Sequence, residues 1–320
     1  MKPAQTSKTT NFATTLRICR DQGYPDLTGK RLTPNCRYNI LKSLSVLLTG
    51  LGEPPPATEP AEDSPPAGSG MAAWRRIGKL RHDSEALGER ALLSFMQREV
   101  RQQHNREAIA RLAADLLTGG KPARKDSPRE IEDDWLTIFS KVAGHKSDRD
   151  IQRMLARMLV GEIRKPGSFS PAAIHTAGLL TRKTAGQFRQ FCNLTLRSTG
   201  ISFVITSPWP DFRTKGEPDL GVKYQDLLDL QCAGLISPSL TSNLDLNAYL
   251  NKAAFDMADR SVVFTQTQLP PPKPPGLDII LLSPVGHELR QIIDLTAVED
   301  YANRLVEWFG ERGITLSTLT

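Results

Sequence analysis

The side chains best suited to chemistry in this 320-residue chain are five histidines and four cysteines, and their spacing argues against a metal site. No two of His82, His104, His145, His175 and His287 stand four residues apart, the spacing that sets two imidazoles on one helical face, and none lies in a His-Glu-x-x-His run. Cys19, Cys36, Cys192 and Cys232 are widely separated and form no Cys-x-x-Cys pair, so neither a zinc site nor a disulfide framework is expected. Gly119-Gly120-Lys121 lacks the Gly-x-x-x-x-Gly-Lys-[Ser/Thr] spacing of a phosphate loop and reads as a helix stop. A Gly-x-Ser-x-Gly nucleophile elbow is missing as well. Asp133 and Asp134 are adjacent, hence on different sides of a helix, where they suit its N-terminal turn. No catalytic residue, cofactor or metal is assigned, although an active site assembled from distant residues would leave no such local trace.

The remaining chemistry is basic. Arg153 and Arg157 lie one helical turn apart, and Arg164 and Lys165 carry the positive character on to a Pro-Gly turn, so these four are the candidate contacts to nucleic-acid phosphates. Net charge is +6, but it is unevenly spread. Residues 1–70 carry 8 basic and 6 acidic side chains (+2), 71–200 carry 24 and 14 (+10), and 201–320 carry 9 and 15 (−6). Such polarity suits an anionic partner, or attraction between the halves or between copies; solvated helical faces produce it too.

The elements that position these residues are clearest from Ser147 to Leu196. Ser147 with Asp150 marks a helix start. Ile151, Met154, Leu155, Met158, Leu159 and Ile163 then form one apolar face. Lys165-Pro166-Gly167 ends that helix. Ser170-Pro171 restarts one and Thr181 caps another, with Ala185, Phe188, Phe191, Cys192 and Leu196 on its buried side. Upstream, Trp74 to Leu117 reads as long helices with Ala91, Phe95, Ala108, Leu112 and Leu116 apolar against Arg90, Arg98, Arg101, Arg106 and Arg111. A further helix carries Trp135, Ile138, Phe139 and Val142.

Downstream, Tyr224, Leu227, Leu228 and Gln231 suggest a helix ended by Gly234. Two β-prone runs, Ser261 to Thr267 and Leu277 to Leu282, are joined by a proline-rich connector. Ser283-Pro284 caps a helix, Val298, Tyr301, Leu305 and Trp308 mark another, and Ile314 to Leu319 suits a strand. Helix, hairpin, helix in this order is similar to a winged-helix module. Its would-be recognition helix carries Asp226 and Asp229, a poor fit to a major groove.

The run LARMLVGEIRKPGSFS, with Trp135 and Phe139 before it and Ala185 and Phe188 after it, resembles an uncharacterised bacterial family, domain of unknown function 2806, over Trp135 to Arg290. GLIS and LSPVGHEL fit the same resemblance and, more loosely, resemble helical proteins associated with phage abortive infection. The family implies no established activity and no catalytic residue.

The expected architecture is mostly α with a C-terminal α+β winged-helix-like part. It comprises an N-terminal helical appendage (1–52), a Pro/Ala-rich linker (53–70), a helical domain (71–200) and a winged-helix-like domain (201–320). Met71, directly after the linker, is a candidate second start. The N-terminus lacks the apolar core of a signal peptide, and Ile40 to Leu51 is too short to span a bilayer though it could lie on one. The expectation is a cytoplasmic protein with no integral membrane segment, acting by binding or assembly through an unknown protein partner or self-association. Nucleic-acid binding is the alternative.

Overall fold

The computed structural model describes residues 12–27, 32–49, 84–119, 129–198, 200–251, 253–258, 260–266 and 276–319. Glu53 to Gly70, the Met71 start and the proline-rich connector after Thr267 lie outside the described residues. Two compact units emerge, one of residues 1–147 with 163–166, the other of 148–162 with 167–320.

The first unit is helical: α1 (Ala13–Asp21), α2 (Pro34–Thr49), α3 (Ser84–Gly119) and α4 (Asp133–Gly144). Ile40, Leu44, Leu47 and Leu48 of α2 are buried, and α2 falls within the first compact unit. That burial also consumes most of the apolar run considered for membrane contact. Polar bonds fix α2 in place. Lys42 Nζ donates to Ile131 O at 2.7 Å and pairs with Asp133 Oδ1 at 2.7 Å. Asn39 Oδ1 accepts from Ile131 N, and Gln103 Nε2 donates to the carbonyls of Leu47 and Leu48 at the end of α2. These bonds satisfy carbonyls that a helix C-terminus leaves open. Tyr24, whose hydroxyl donates to Glu107 O, is pushed up to about 12 by burial.

In α3 the buried positions are Ile109, Ala110, Ala113, Ala114 and Leu117 rather than Ala108, Leu112 and Leu116. The face is turned by one residue, onto positions three of which are alanine. α4 buries Trp135, Leu136, Phe139 and Ala143, with the Trp135 and Phe139 rings stacked 5.1 Å apart.

The chain continues through α5 (Arg149–Arg164), α6 (Pro171–Leu179) and α7 (Arg182–Asn193). The six apolar positions expected on α5 are all buried. Its cap is Asp148, not Ser147: Asp148 Oδ1 accepts from the backbone N–H groups of Asp150 and Ile151. Ser170 and Thr181 cap α6 and α7 as expected. Leu196 is buried but belongs to the strand that follows α7.

A seven-stranded antiparallel sheet completes the second unit. It is built from β1 (Leu196–Ser198), β2 (Ile201–Ile205), β5 (Ser242–Asp245), β6 (Ala254–Met257), β7 (Arg260–Gln266), β8 (Gly276–Leu281) and β9 (Ile314–Leu319), in the order β5-β8-β2-β1-β6-β7-β9. Between β2 and β5 lie α8 (Phe212–Lys215), the small β3 (Gly216–Glu217) and β4 (Val222–Lys223) pair, and α9 (Tyr224–Cys232). α10 (Pro284–Arg290) and α11 (Glu299–Gly310) follow β8.

The winged-helix reading fails on strand pairing. β7 and β8 are the two runs expected to form the wing, yet β7 pairs with β6 and β9 whereas β8 pairs with β2 and β5. Three strands lie between them. One face of the sheet carries an aromatic core: Phe203 and Phe255 meet edge to face at 5.7 Å, Phe255 and Phe264 at 5.4 Å, and Phe264 meets Phe309 of α11 at 4.9 Å. Tyr301 of α11 bonds both the N–H and the carbonyl of Ile205, and burial raises its hydroxyl far above the ordinary range.

Candidate functional site

The opposite face of the sheet carries a polar row. In an antiparallel sheet, residues paired in register share a face. Ser202 of β2 pairs with Arg197 of β1, Arg197 with Asp256 of β6, and Asp256 with Ser261 of β7. Ser261 Oγ donates to Asp256 Oδ1 at 3.0 Å.

Helix α10 borders this row. Ser283 caps it by accepting from Gly286 N at 2.9 Å, and Gly286 is needed because a Cβ there would stand 1.9 Å from Leu235 O. His287 Nδ1 lies 2.8 Å from Ser202 Oγ. One turn on, Arg290 is 3% exposed and donates from Nε to Thr195 Oγ1 at 2.5 Å and from Nη2 to the carbonyls of Thr195 and Asp256. Thr195 Oγ1 in turn donates to Cys192 O, so Arg290 ties the end of α7 to β1 and β6. Burial, then Arg197 and Arg290, lowers the His287 pKa, which favours a neutral ring. Burial raises the Cys192 thiol well above its usual range and keeps it protonated.

Ser202 beside His287 has the distance of a nucleophile and its base. Ser202 is 1% exposed, however, and among the described residues no carboxylate bonds the imidazole. The contact therefore orients the ring and fixes α10 on the sheet. Among the described residues no group of three or more His, Cys, Asp or Glu side chains is placed to hold a metal ion.

The four basic residues chosen from sequence are disposed differently. Arg153 is exposed and pairs with Asp150 at 2.9 Å, an acid that also pairs with Arg182. Arg157 Nη2 meets Asp294 Oδ2 at 2.5 Å and Nη1 donates to Ile292 O, so this arginine anchors the segment after α10. Arg164 is half-buried at the end of α5 and Lys165 is exposed beside Pro166. Helical period places positions 153, 157 and 164 within a sector of about 40°.

The turn after α5 is built on a residue that sequence reasoning passed over. Glu162 is 2% exposed, and its carboxylate accepts from the backbone N–H groups of Gly167, Ser168 and Phe169 at 2.6, 3.0 and 3.1 Å. Gly161 makes room for Phe169, whose ring carbon Cε2 would lie 2.6 Å from an added Cβ. The signal was present in GEIRKPGSF: an acid four residues before a Pro-Gly pair can close back onto the turn's free N–H groups. The supposed recognition helix α9 is likewise occupied. Asp229 accepts from Gln225, Lys183 and Gln187, which hold its carboxyl well below the usual range, and Gln187 Nε2 also reaches Asp226. Those acids join α9 to α7.

A second surface lies on the first half of α3. Leu93, Met96 and Val100 are 59, 53 and 69% exposed, and with Gln97, Arg101 and His104 they line a shallow groove. Taking about 100° per residue, Glu99 flanks the apolar line on one side and Arg90, Arg101 and His104 on the other, while Glu89 falls within the line itself.

Among the described residues no helix is long and apolar enough to cross a membrane. No curated protein and no solved structure matches the chain. The family model described as protein of unknown function DUF2806 matches residues 89–306, which takes in α4 to α10, the Glu162 turn and the polar row. Because that match covers well over half of the sequence, the chain belongs to the DUF2806 family of proteins of unknown function.

Proposed function

We propose that the protein acts by association and not by catalysis, and that a second copy of the chain pairs with it along the solvent-facing half of α3. The observation that carries this reading is the exposed line of Leu93, Met96 and Val100, spaced three and four residues apart as in a helix-pairing seam. Charge selects the occupant. With Glu99 on one flank and Arg90, Arg101 and His104 on the other, a parallel two-fold pairing sets Glu99 against the basic flank of the second copy, whereas an antiparallel one opposes like charges. Each buried Leu, Met or Val contributes about 1.5–3 kcal/mol. Association itself costs about 4–15 kcal/mol. A seam this short is therefore expected to pair in the micromolar range. Sedimentation velocity over a concentration series tests it: dimer should build up with concentration and vanish in Leu93→Lys/Val100→Lys. A wild type that stays monomeric throughout sinks the proposal.

Nucleic-acid binding through Arg153, Arg157, Arg164 and Lys165 is the second reading, favoured by the common sector of the three arginines on α5. Fluorescence anisotropy with labelled DNA and RNA at low and physiological salt should then show saturable, salt-sensitive binding that the quadruple glutamine variant loses. Equal affinity of wild type and variant removes this assignment. The phage-defence association rests on the abortive-infection resemblance, to which the geometry adds nothing, and it forms no part of either reading.

A further inference from the structure

We infer that the polar row beside α10 is a binding site for a phosphate group, received by Arg197, Nε2 of His287 and Nη1 of Arg290. This inference concerns a different surface from the α3 seam and is independent of it.

Three geometric facts converge. Arg197 and Ser202 are register partners and project from the same face of the sheet. Ser202 holds the His287 ring at 2.8 Å, which brings the imidazole beside Arg197. Arg290 follows His287 by three residues on α10, on the same helical face, and its guanidinium is held by Thr195, two residues before Arg197 on that face of the sheet.

The two arginines of this place form no direct ion pair. Neither Arg197 nor Arg290 has a carboxylate within ion-pair distance among the described residues. Asp256, the register partner of Arg197, accepts from Ser261 Oγ, and Glu288 accepts from the backbone N–H and hydroxyl of Ser170. The carbonyls of Thr195 and Asp256 satisfy Nε and Nη2 of Arg290, yet Nη1 makes no hydrogen bond. A guanidinium 3% exposed with no carboxylate in ion-pair contact is costly to keep, and an anion that bonds it offsets that cost. If Ser202 donates to Nδ1, the neutral ring presents Nε2–H as a donor. Two guanidinium groups and an imidazole N–H approaching from two elements suit the several oxygens of a phosphate.

The test uses the full chain. Inorganic phosphate is titrated at constant ionic strength while the His287 ring and arginine Nε–H resonances are followed by NMR, with chloride as the matched control. Saturable shifts of both signals by phosphate alone are expected. Arg197→Gln, whose side chain holds no structural bond in the network, should weaken binding at least ten-fold with an unchanged circular dichroism spectrum, and His287→Gln should weaken it several-fold. Absence of saturation, an identical response to chloride, or wild-type affinity in Arg197→Gln each overturns the inference.

Discussion

Glu288 accepts from both the backbone N–H and the hydroxyl of Ser170, at 2.7 and 2.9 Å, although 118 residues of chain separate the two. Ser170 is also the cap of α6, its Oγ accepting from Ala173 N. One serine thus starts a helix and receives another helix, α10, which borders the polar row. Replacing it with alanine removes a cap and one charge-assisted bond, and should cost about 1–2 kcal/mol in urea unfolding. A loss below a few tenths would mean that the carboxylate finds an equivalent partner.

Glu162 should be more sensitive. Glu162→Ala leaves three backbone N–H groups of a partly buried turn without their acceptor, and an expected loss of about 3 kcal/mol follows. Glu162→Gln keeps one acceptor oxygen and should fall between the alanine variant and the wild type.

Two glycines test close packing. Gly286→Ala drives a methyl into the Leu235 carbonyl, backbone against backbone, so neither partner can turn away. Gly161→Ala meets a Phe169 ring, which has more freedom. Overpacking costs about 1–3 kcal/mol. Thermal unfolding should therefore place Gly286→Ala well below Gly161→Ala, and the reverse order would contradict the approach of α10 to Leu235.

His287 sets a pH dependence whose sign follows from its lowered pKa. The unfolded ring takes a proton near pH 6.5. The folded ring, buried beside Arg197 and Arg290 with only Glu288 opposing them, takes it at lower pH. Below about pH 6.5 the unfolded state therefore binds more protons, and stability falls as pH falls until the folded pKa is passed. The difference in urea stability between wild type and His287→Gln should shrink on acidification from pH 7.5 to 5.5. A pH-independent difference would mean that the ring is not held neutral.

The helices were legible because local signals specify them. Ser170-Pro171, Thr181 and Ser283-Pro284 begin α6, α7 and α10 where cap chemistry dictates, and Pro-Gly ends α5 where helical geometry becomes unfavourable. The strand character of β7, β8 and β9 was legible too, from runs of β-branched and apolar residues. β1, β2, β5 and β6 passed unnoticed: three are four residues or shorter, and Ile201–Ile205 is an apolar run buried on both faces that shows no alternation.

What the sequence determined by itself was this local grammar: caps, breaks, apolar faces and the family to which LARMLVGEIRKPGSFS points. Only the tertiary structure decided which strands pair. β7 and β8 follow one another in the chain yet sit with β6, β1 and β2 between them, because register depends on faces meeting across the whole sheet. The same holds for the charged groups. Arg157, a candidate phosphate contact by spacing, also meets Asp294, and Arg197, His287 and Arg290, far apart in sequence and without a motif, are brought to one face by the pairing of β1 with β2 and the seat of α10. Helix signals act over a few residues, while ion pairing and convergence of side chains depend on contacts that only the folded chain makes.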